Sequence, residues 1–217
     1  MALQGNGKLD YLVEGVRRFK TVVFPEKQQL YEQLAEKQVP KALFITCGDS
    51  RIDPSAMTGT EPGQIFVERT PGNIVPVYDD TASVGVSASI EYAVFALGAR
   101  DVIVCGHSAC GAMKGLLHPE KLKKIPATAR WLKYAEPAIE ALNQRYMGLH
   151  DHERLTWLGK LNVIEQMVHL HTHPMVEAQV KRKNLAIHGW YYEIHTGRIE
   201  AYNPLTGTFE DWPPPDR

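Results

Sequence analysis

Two short segments of the sequence concentrate side chains that can bind a metal and transfer a proton. The first contains Cys47, Asp49 and Arg51, and the second contains His107 and Cys110. Thiolate and imidazole ligands together favour zinc or a similar metal over magnesium or calcium. Two cysteines and one histidine leave one tetrahedral position open to water, which distinguishes catalytic zinc from structural zinc. The residue types therefore predict a catalytic metal centre.

The carboxylate of Asp49 and the guanidinium of Arg51 are expected to lie beside that metal. If the chain stays extended after Cys47, all three side chains point the same way, because side chains alternate along a strand. Arg51 can then hold Asp49 ionised, and Asp49 can accept a proton from metal-bound water or orient the resulting hydroxide. The alternative is an ordinary loop ion pair, which would contribute little to stability.

The third cysteine of the chain, Cys105, leaves a different kind of metal site open. On an extended chain Cys105 and His107 share a face, so their spacing does not exclude a closed site with four protein ligands. We favour a buried strand residue for Cys105 and a three-ligand site. Replacement of Cys105 by serine distinguishes the three-ligand site from the closed four-ligand site, because only the closed site would lose its metal.

The elements that must position these residues alternate between strands and helices. Amphipathic spacing predicts two helices at the start of the chain. The predicted strands cover 42–46, 64–67, 101–105, 185–194 and 199–202, and the later predicted helices cover 81–97, 111–117, 127–146 and 154–170. This alternation predicts an α/β fold with a central, mostly parallel sheet, helices on its flanks and an antiparallel edge strand. Such sheets bind ligands beyond the carboxyl ends of their strands, where Cys47 and His107 stand.

Length and composition narrow the class of protein further. The 217 residues carry 24 Lys and Arg against 25 Asp and Glu, so no large basic face is available for nucleic acid. No apolar run is long enough to predict membrane insertion. Few cysteines, in odd number, and no apolar leader at the start predict a cytoplasmic protein. We expect one domain with a helical arm at 1–40, a metal-site core at 41–120, and helices and edge strands at 121–217.

The paired motifs Cys47-x-Asp49-x-Arg51 and His107-x-x-Cys110 resemble those of the β-class carbonic anhydrases, over nearly the whole chain. The resemblance implies reversible hydration of carbon dioxide to bicarbonate and a proton by attack of zinc-bound hydroxide. It implies one zinc ion per subunit, held by the two cysteines and the histidine. It also implies that the Asp–Arg pair is the catalytic dyad and that the third cysteine is not a ligand.

Four further residues are similar to substrate-site residues in the plant-like branch of that family. Gln38 matches a glutamine that donates a hydrogen bond to the substrate, and Phe66 and Tyr92 match aromatic residues that line the cleft across a dimer interface. Gly111 matches a small residue beside the last zinc ligand. Taken without the resemblance, each of the four would be interpreted as structural.

Two departures from the family pattern bear on regulation and on the shape of the cleft. Phe44 lies three residues before Cys47, where members regulated by non-catalytic bicarbonate have tryptophan. The chain therefore resembles the non-allosteric branch, which implies that water rather than Asp49 is the fourth zinc ligand at neutral pH. Thr70-Pro71 replaces a commoner pair of asparagine and a small residue, which alters the expected cleft.

The resemblance also implies a homodimer or a higher even oligomer, with the N-terminal helices extending onto a partner subunit. Two other functions stay open at this point. Some proteins similar to this family hydrolyse carbon disulfide or carbonyl sulfide with the same zinc hydroxide. A non-catalytic zinc module, closed by the third cysteine, is the alternative from another class.

One other histidine tract, His169, His171 and His173, could suggest a second metal site. On a helix only His169 and His173 share a face. Because Pro174 follows the tract, we interpret it as a solvated helix terminus rather than a metal site.

Overall fold

The structure is a computed structural model that describes residues 9–79 and 84–214. The chain divides into two compact units, residues 1–38 and residues 39–217. The metal-site motifs all lie in the second unit.

Most of the described part of the first unit is helical. It contains α1 (Asp10–Arg18), a π-helical segment (Phe19–Val23), α2 (Phe24–Glu26) and α3 (Gln28–Glu36). Three aromatic rings contact one another within it: Phe19, Phe24 and Tyr31. None of the side chains of α1 is buried, although several of them are large and apolar. The amphipathic helices predicted from the sequence are therefore present.

The second unit is built on a six-stranded sheet. Its strands are β1 (Ala42–Cys47), β2 (Ile65–Thr70), β3 (Asp101–His107), β4 (Ala186–Tyr192), β5 (Ile199–Asn203) and β6 (Thr208–Trp212). They lie in the order β2-β1-β3-β4-β5-β6. Strands β1 to β4 are mutually parallel. Strand β5 pairs antiparallel with β4, and β6 pairs antiparallel with β5. The predicted α/β architecture is therefore confirmed.

Seven helices belong to the described part of this unit. They are α4 (Pro54–Thr58), α5 (Val84–Glu91), α6 (Gly111–Leu117), α7 (Pro126–Trp131), α8 (Glu136–Arg145), α9 (Asp151–Thr172) and α10 (Pro174–Lys181). Shorter 3-10 segments cover Pro71–Asn73, Pro119–Lys124 and Leu132–Ala135, and a π-helical segment covers Tyr92–Ala96. Among the described residues, no helix combines the length and apolar character needed to span a membrane.

Several element predictions differ from the structure in their bounds. The helix predicted at 127–146 is interrupted by a 3-10 segment between α7 and α8. Pro137 lies in the first turn of α8, and because it has no N–H it cannot continue a preceding helix. The helix predicted at 81–97 begins outside the described residues and ends as a π-helical segment. The sequence analysis missed α10 and β6. In β6 nearly every residue is exposed, so no apolar alternation marks it.

Both faces of the parallel strands are buried, which explains their continuous apolar runs. Alternate residues of β1 and β3 enter two different clusters. One cluster contains Leu43, Ile45, Val102 and Val104 together with residues of α9 and α10. The opposite face contributes Phe44, Ile103 and Cys105.

Helix α9 packs against β3 at a point where no side chain would fit. A Cβ atom at Gly106 would lie 2.7 Å from Cγ2 of Val163 and 3.3 Å from the carbonyl oxygen of Gly159. The helix backbone therefore approaches the strand as closely as sterics allow. This contact fixes the depth of α9 beside His107, the last residue of β3.

The end of α9 corrects the interpretation of the histidine tract as a solvated terminus. His169 and His173 are buried, and only His171 is exposed. Nδ1 of His169 donates to the carbonyl of Val75 at 2.7 Å, and Nε2 of His173 donates to that of Pro76 at 3.0 Å. The prediction failed because a long-range contact with the loop after β2 covers this helix end.

Substitution of Gly106 by alanine tests the contact between α9 and β3. Because the added Cβ meets Val163 and the α9 backbone, we expect Gly106→Ala to lower the free energy of unfolding by about 1–3 kcal/mol. Denaturant titration measures this change. Gly15→Ala, where a Cβ meets nothing within 4 Å, is the control and should not be destabilising. Equal stability of Gly106→Ala and wild type would contradict the close packing.

Burial of His173 predicts a pH dependence of stability. Burial lowers the pKa of His173 below its usual 6.5 in the folded protein. At a pH between the folded and the unfolded pKa, the unfolded chain therefore binds more protons than the folded one. The free energy of unfolding should therefore fall as the pH drops below 6.5, as the unfolded chain takes up this proton. His173→Gln should lose less stability than wild type between about pH 7.5 and pH 5.5. Denaturant titrations at both pH values check this, and the exposed His195→Gln should follow wild type.

Candidate metal centre

The carboxyl ends of β1 and β3 bring the two sequence motifs together. Cys47 is the last residue of β1, and His107 is the last residue of the neighbouring parallel strand β3. Cys110 follows three residues later and directly precedes α6. One ligand atom from each of these three side chains lies within 4.8 Å of the others, and all three residues are buried. The structure therefore assembles the predicted ligand set.

The histidine of this cluster has one ring nitrogen free for a metal. Nδ1 of His107 lies 2.9 Å from the carbonyl oxygen of Ser108, and since a carbonyl only accepts, Nδ1 carries the proton. Nε2 is then the nitrogen without a proton, and it is buried with no hydrogen-bond partner in the part of the chain that the structure describes. A second-shell hydrogen bond that fixes the tautomer is typical of metal-binding histidines. The donor set of two sulfurs and this nitrogen fits a soft divalent metal ion.

The two cysteines of the cluster are free thiols whose sulfurs lie 4.0 Å apart. The hydrogen bond from Cys110 lowers the pKa of Cys47, and the same contact together with burial raises the pKa of Cys110. Cys47 also accepts a hydrogen bond from the N–H of Gly72 at 3.3 Å. This contact therefore favours the thiolate at Cys47 over that at Cys110, and a divalent cation would allow both sulfurs to ionise.

The backbone before α6 adopts an unusual conformation to place Cys110. Ala109 has φ of 55°, in the left-handed region that non-glycine residues rarely adopt. The helix begins at Gly111, as the sequence predicts, so Cys110 lies just before its first turn. Cys110 stands at the N-cap, where hydrogen bonds from the backbone of α6 favour its thiolate.

Asp49 and Arg51 form the predicted dyad by a different backbone path. The chain does not stay extended after Cys47, because the N–H of Ile52 donates to the carbonyl of Asp49 in a turn. Within this turn Arg51 makes a bidentate contact, with Nε 2.9 Å from Oδ1 and Nη2 2.7 Å from Oδ2. The Arg51 side chain holds the pKa of Asp49 well below its usual range. Oδ2 of Asp49 lies 4.0 Å from Nε2 of His107, so the dyad borders the ligand cluster.

Arg69 is a residue of this site that the sequence analysis missed. From β2 it donates through Nε to the carbonyl of Cys47 at 3.2 Å and through Nη2 to the carbonyl of Asp49 at 2.6 Å. It thereby fixes the backbone between the ligand and the dyad. The spacing of Arg69 carries no signal, because its partners lie on another strand and are backbone atoms.

Cys105 is excluded from the cluster, so the closed four-ligand site is not formed. It is fully buried beside Phe44 and Ile103 on the opposite face of the sheet. Burial raises the pKa of the Cys105 thiol to about 12, which keeps it protonated at neutral pH. The interpretation of Cys105 as a strand core residue agrees with this position.

The four residues assigned to the substrate site are spread over both units of the chain. Phe66 of β2 and Tyr92 contact each other with ring centroids 6.0 Å apart, and Tyr92 is half exposed. Gly111 is exposed beside Cys110, and a Cβ there would meet nothing within 4 Å. Packing within one chain therefore does not require glycine at this position. Gln38 is exposed at the end of the first unit.

Comparisons with known proteins agree with the chemistry of this cluster. Residues 42–199 match the sequence profile of the carbonic anhydrase family. The carbonic anhydrase of Pseudomonas aeruginosa is 44% identical over 198 residues, which cover 91% of this chain and 89% of that protein. The structure of the β-carbonic anhydrase CcaA superposes with a TM-score of 0.90 at 38% identity, over 94% of this chain and 98% of that one. The chain belongs to the β-class carbonic anhydrases.

Two other members of the family match a similar share of this chain. Carbonic anhydrase 1 of Escherichia coli O157:H7 is 40% identical over 91% of this chain and 90% of its own length. A β-carbonic anhydrase from the filamentous ascomycete Sordaria macrospora, described as tetrameric, has a TM-score of 0.79 at 28% identity. This superposition covers 90% of this chain and 97% of the Sordaria macrospora chain. The similarity to this β-class family therefore spans both the sheet and the ligand motifs.

Replacement of each cysteine by serine tests which sulfurs hold a metal. We expect Cys47→Ser and Cys110→Ser to lose most bound metal, since each removes a soft ligand from the cluster. Cys105→Ser is the matched control and should keep its metal, because Cys105 lies on the other face of the sheet. Elemental analysis of the purified full-length proteins gives the metal content per chain. Loss of metal from Cys105→Ser alone would reverse this assignment.

Proposed function

We propose that this chain is a zinc carbonic anhydrase that interconverts carbon dioxide and bicarbonate. One observation carries the proposal: two buried thiols converge with a bare imidazole nitrogen beside an ionised carboxylate. The relatives compared above are all named carbonic anhydrases, which supports this activity over hydrolysis of carbon disulfide or carbonyl sulfide. The position of Cys105 on the opposite face argues against a non-catalytic zinc module.

Cys47, His107 and Cys110 would hold one zinc ion per subunit. Three ligands of this kind suit a catalytic rather than a structural zinc site. When bound, zinc supplies Lewis acidity, which lowers the pKa of a water ligand and makes a nucleophile available near neutral pH. The protein contributes the ligand geometry, and the Ser108 carbonyl orients the His107 ring and holds Nδ1 away from the cluster.

Asp49 has one acceptor position left for the attacking water. Its Oδ1 accepts from both the backbone N–H and Nε of Arg51, and among the described residues its Oδ2 accepts only from Nη2. Each carboxylate oxygen has two lone pairs, so Oδ2 retains one, and Oδ2 is the atom nearer to His107. This oxygen can accept the proton of the water or orient its remaining O–H bond toward the substrate. The contact with Arg51 supports a role for Asp49 as acceptor rather than as zinc ligand.

Carbon dioxide is apolar, and its product is an anion, so the substrate site needs both kinds of surface. Phe66 and Tyr92 together offer an apolar wall, and the amide of Gln38 can donate a hydrogen bond to the developing negative charge. We assign Gly111 beside Cys110 to the same cleft, where its open surroundings leave space for substrate. Following the resemblance, Phe66 and Tyr92 would line the cleft of a partner subunit across a dimer interface.

An oligomer is consistent with the exposed surface of the first helix. Leu9, Tyr11, Leu12, Val16 and Phe19 are all more than 40% exposed in the single chain, although their side chains are apolar. Large exposed apolar patches mark interaction sites. We propose a homodimer or a higher even oligomer in which these helices extend onto the partner subunit, working in the cytoplasm.

Removal of the Asp49 charge tests the proposed mechanism. Asn has the same shape as Asp, but one of its two terminal atoms is an NH₂ donor. This group either takes the place of the Oδ2 acceptor or faces the donors of Arg51 in place of Oδ1. We therefore expect Asp49→Asn to reduce carbon dioxide hydration by about 10²–10⁴-fold. Stopped-flow measurement with a pH indicator gives the rate, and the zinc content of each sample is measured in parallel. Zinc content should stay near wild type, because Asp49 is not among the ligands.

A second carboxylate of the chain offers a matched control. Asp101 stands at the opposite end of β3, where it pairs with His188 at 2.8 Å. Asp101→Asn should hydrate carbon dioxide at the wild-type rate. If Asp49→Asn were as active as Asp101→Asn, Asp49 would have no role in proton transfer.

A further inference from the structure

The N–H of Gly72 can reach the sulfur of Cys47 only because residue 72 is a glycine in a special conformation. Gly72 has φ of 76°, in the left-handed region, within the 3-10 turn Pro71–Asn73 after β2. A Cβ at this position would lie 3.0 Å from Cβ of Ala112 and 3.1 Å from Cε of Met113. The turn therefore presses its backbone against α6 and directs the amide at the sulfur, 3.3 Å away.

Two side chains from separate helices hold this turn by its carbonyl groups. Nδ2 of Asn162 in α9 donates to the carbonyl of Gly72 at 2.9 Å. Nε1 of Trp131 at the end of α7 donates to the carbonyl of Pro71 at 2.9 Å. Because one peptide plane joins the Pro71 carbonyl to the Gly72 N–H, the hydrogen bond from Trp131 fixes the direction of that N–H.

Asn162 is itself held in one orientation. It is fully buried, and its Oδ1 accepts a hydrogen bond from Nε2 of Gln166 at 3.0 Å. Oε1 of Gln166 in turn accepts from the N–H of Val75 at 2.8 Å. The amide of Asn162 therefore cannot flip without breaking a buried chain of hydrogen bonds, which would cost more than the loss of one exposed contact.

The same face of α9 continues this contact along the loop after the turn. Residues 162, 166 and 169 are spaced three or four apart, so they share one side of the helix, and residue 173 follows directly after its end. They hydrogen-bond the backbone between Gly72 and Pro76. Helix α9 is also locked against β3 at Gly106, next to His107. One helix thus connects the strand that carries the histidine ligand to the turn that contacts the Cys47 sulfur.

We propose that Asn162 and Trp131 are positioning residues of the metal centre, which hold the Gly72 N–H on the sulfur of Cys47. The inference rests on the zinc site of the proposed function and adds a role for two residues outside it. An N–H···S hydrogen bond draws charge from a thiolate. It therefore decreases the electron donation of that sulfur to a bound metal, as outer-shell partners of metal ligands do.

Cobalt substitution of the full-length protein tests this inference. The sulfur-to-cobalt charge-transfer absorption reports how strongly the thiolates donate, and competition with a chromophoric chelator gives the dissociation constant for zinc. Asn162→Leu and Asn162→Ala both remove the amide, but the first fills the space and the second leaves a cavity. Trp131→Phe removes the donor to Pro71 at a partly exposed position. Thermal unfolding of each variant is measured in parallel.

Thr172→Val is the matched control on the same helix. It removes an acceptor from the N–H of Tyr78 at the far end of the loop and leaves the contacts of Gly72 in place. We expect both Asn162 variants to move the charge-transfer band to longer wavelength, because the sulfur donates more strongly without the N–H. We also expect them to raise the zinc dissociation constant about tenfold, because the released turn no longer holds the Cys47 sulfur in place. Trp131→Phe should move the band in the same direction by a smaller amount. Thr172→Val should lower the unfolding temperature without moving the band.

An unchanged band in the Asn162 variants, even with a lower unfolding temperature, would overturn the inference and leave Asn162 a structural residue. If these variants do not fold, Trp131→Phe decides, and an unmoved band in it has the same meaning. A wild-type protein that binds neither cobalt nor zinc would contradict the proposed function instead. The two failures are therefore distinguishable.

Discussion

Two sulfur atoms 4.0 Å apart in a buried site impose the main electrostatic constraint on this protein. Two neighbouring thiolates cannot both persist away from water unless positive charge compensates them. The surroundings supply partial compensation through the Gly72 N–H and backbone hydrogen bonds from α6. A divalent cation would complete it. Metal binding would thus satisfy the side chains that the fold brings together.

The dyad adds a second charge arrangement beside this centre. Asp49 would raise the negative potential near the thiolates if it stood alone, but Arg51 contacts both of its oxygens. Arg69 donates hydrogen bonds to the backbone carbonyls of both Cys47 and Asp49. The carboxylate therefore stays ionised and fixed in place beside the ligand cluster. Such preorganisation is what an active site needs from the scaffold.

Rigidity of the site depends on α9, which contacts both the sheet and the loop after β2. Its apolar side packs on β3 at Gly106, and its polar face binds the backbone from Gly72 to Pro76. The buried His169 and His173 belong to that polar face. Periodicity predicted a helix here correctly, but it could not show that these histidines are buried, because their partners are backbone atoms of a loop far away in the chain. The interruption between α7 and α8 was missed for a local reason, since the apolar pattern continues through Pro137.

The sequence by itself determined the donor atoms and their approximate place. Thiol, imidazole and carboxylate side chains follow short apolar runs, and the carboxyl ends of parallel strands meet at one edge of a sheet. Only the tertiary structure decided which cysteine stays outside the cluster, which path the chain takes from Cys47 to Arg51, and how Asn162 reaches Gly72. These outcomes depend on contacts between residues as many as 90 positions apart. Local spacing cannot encode such contacts, because the packing of helices on the sheet sets the distances between them.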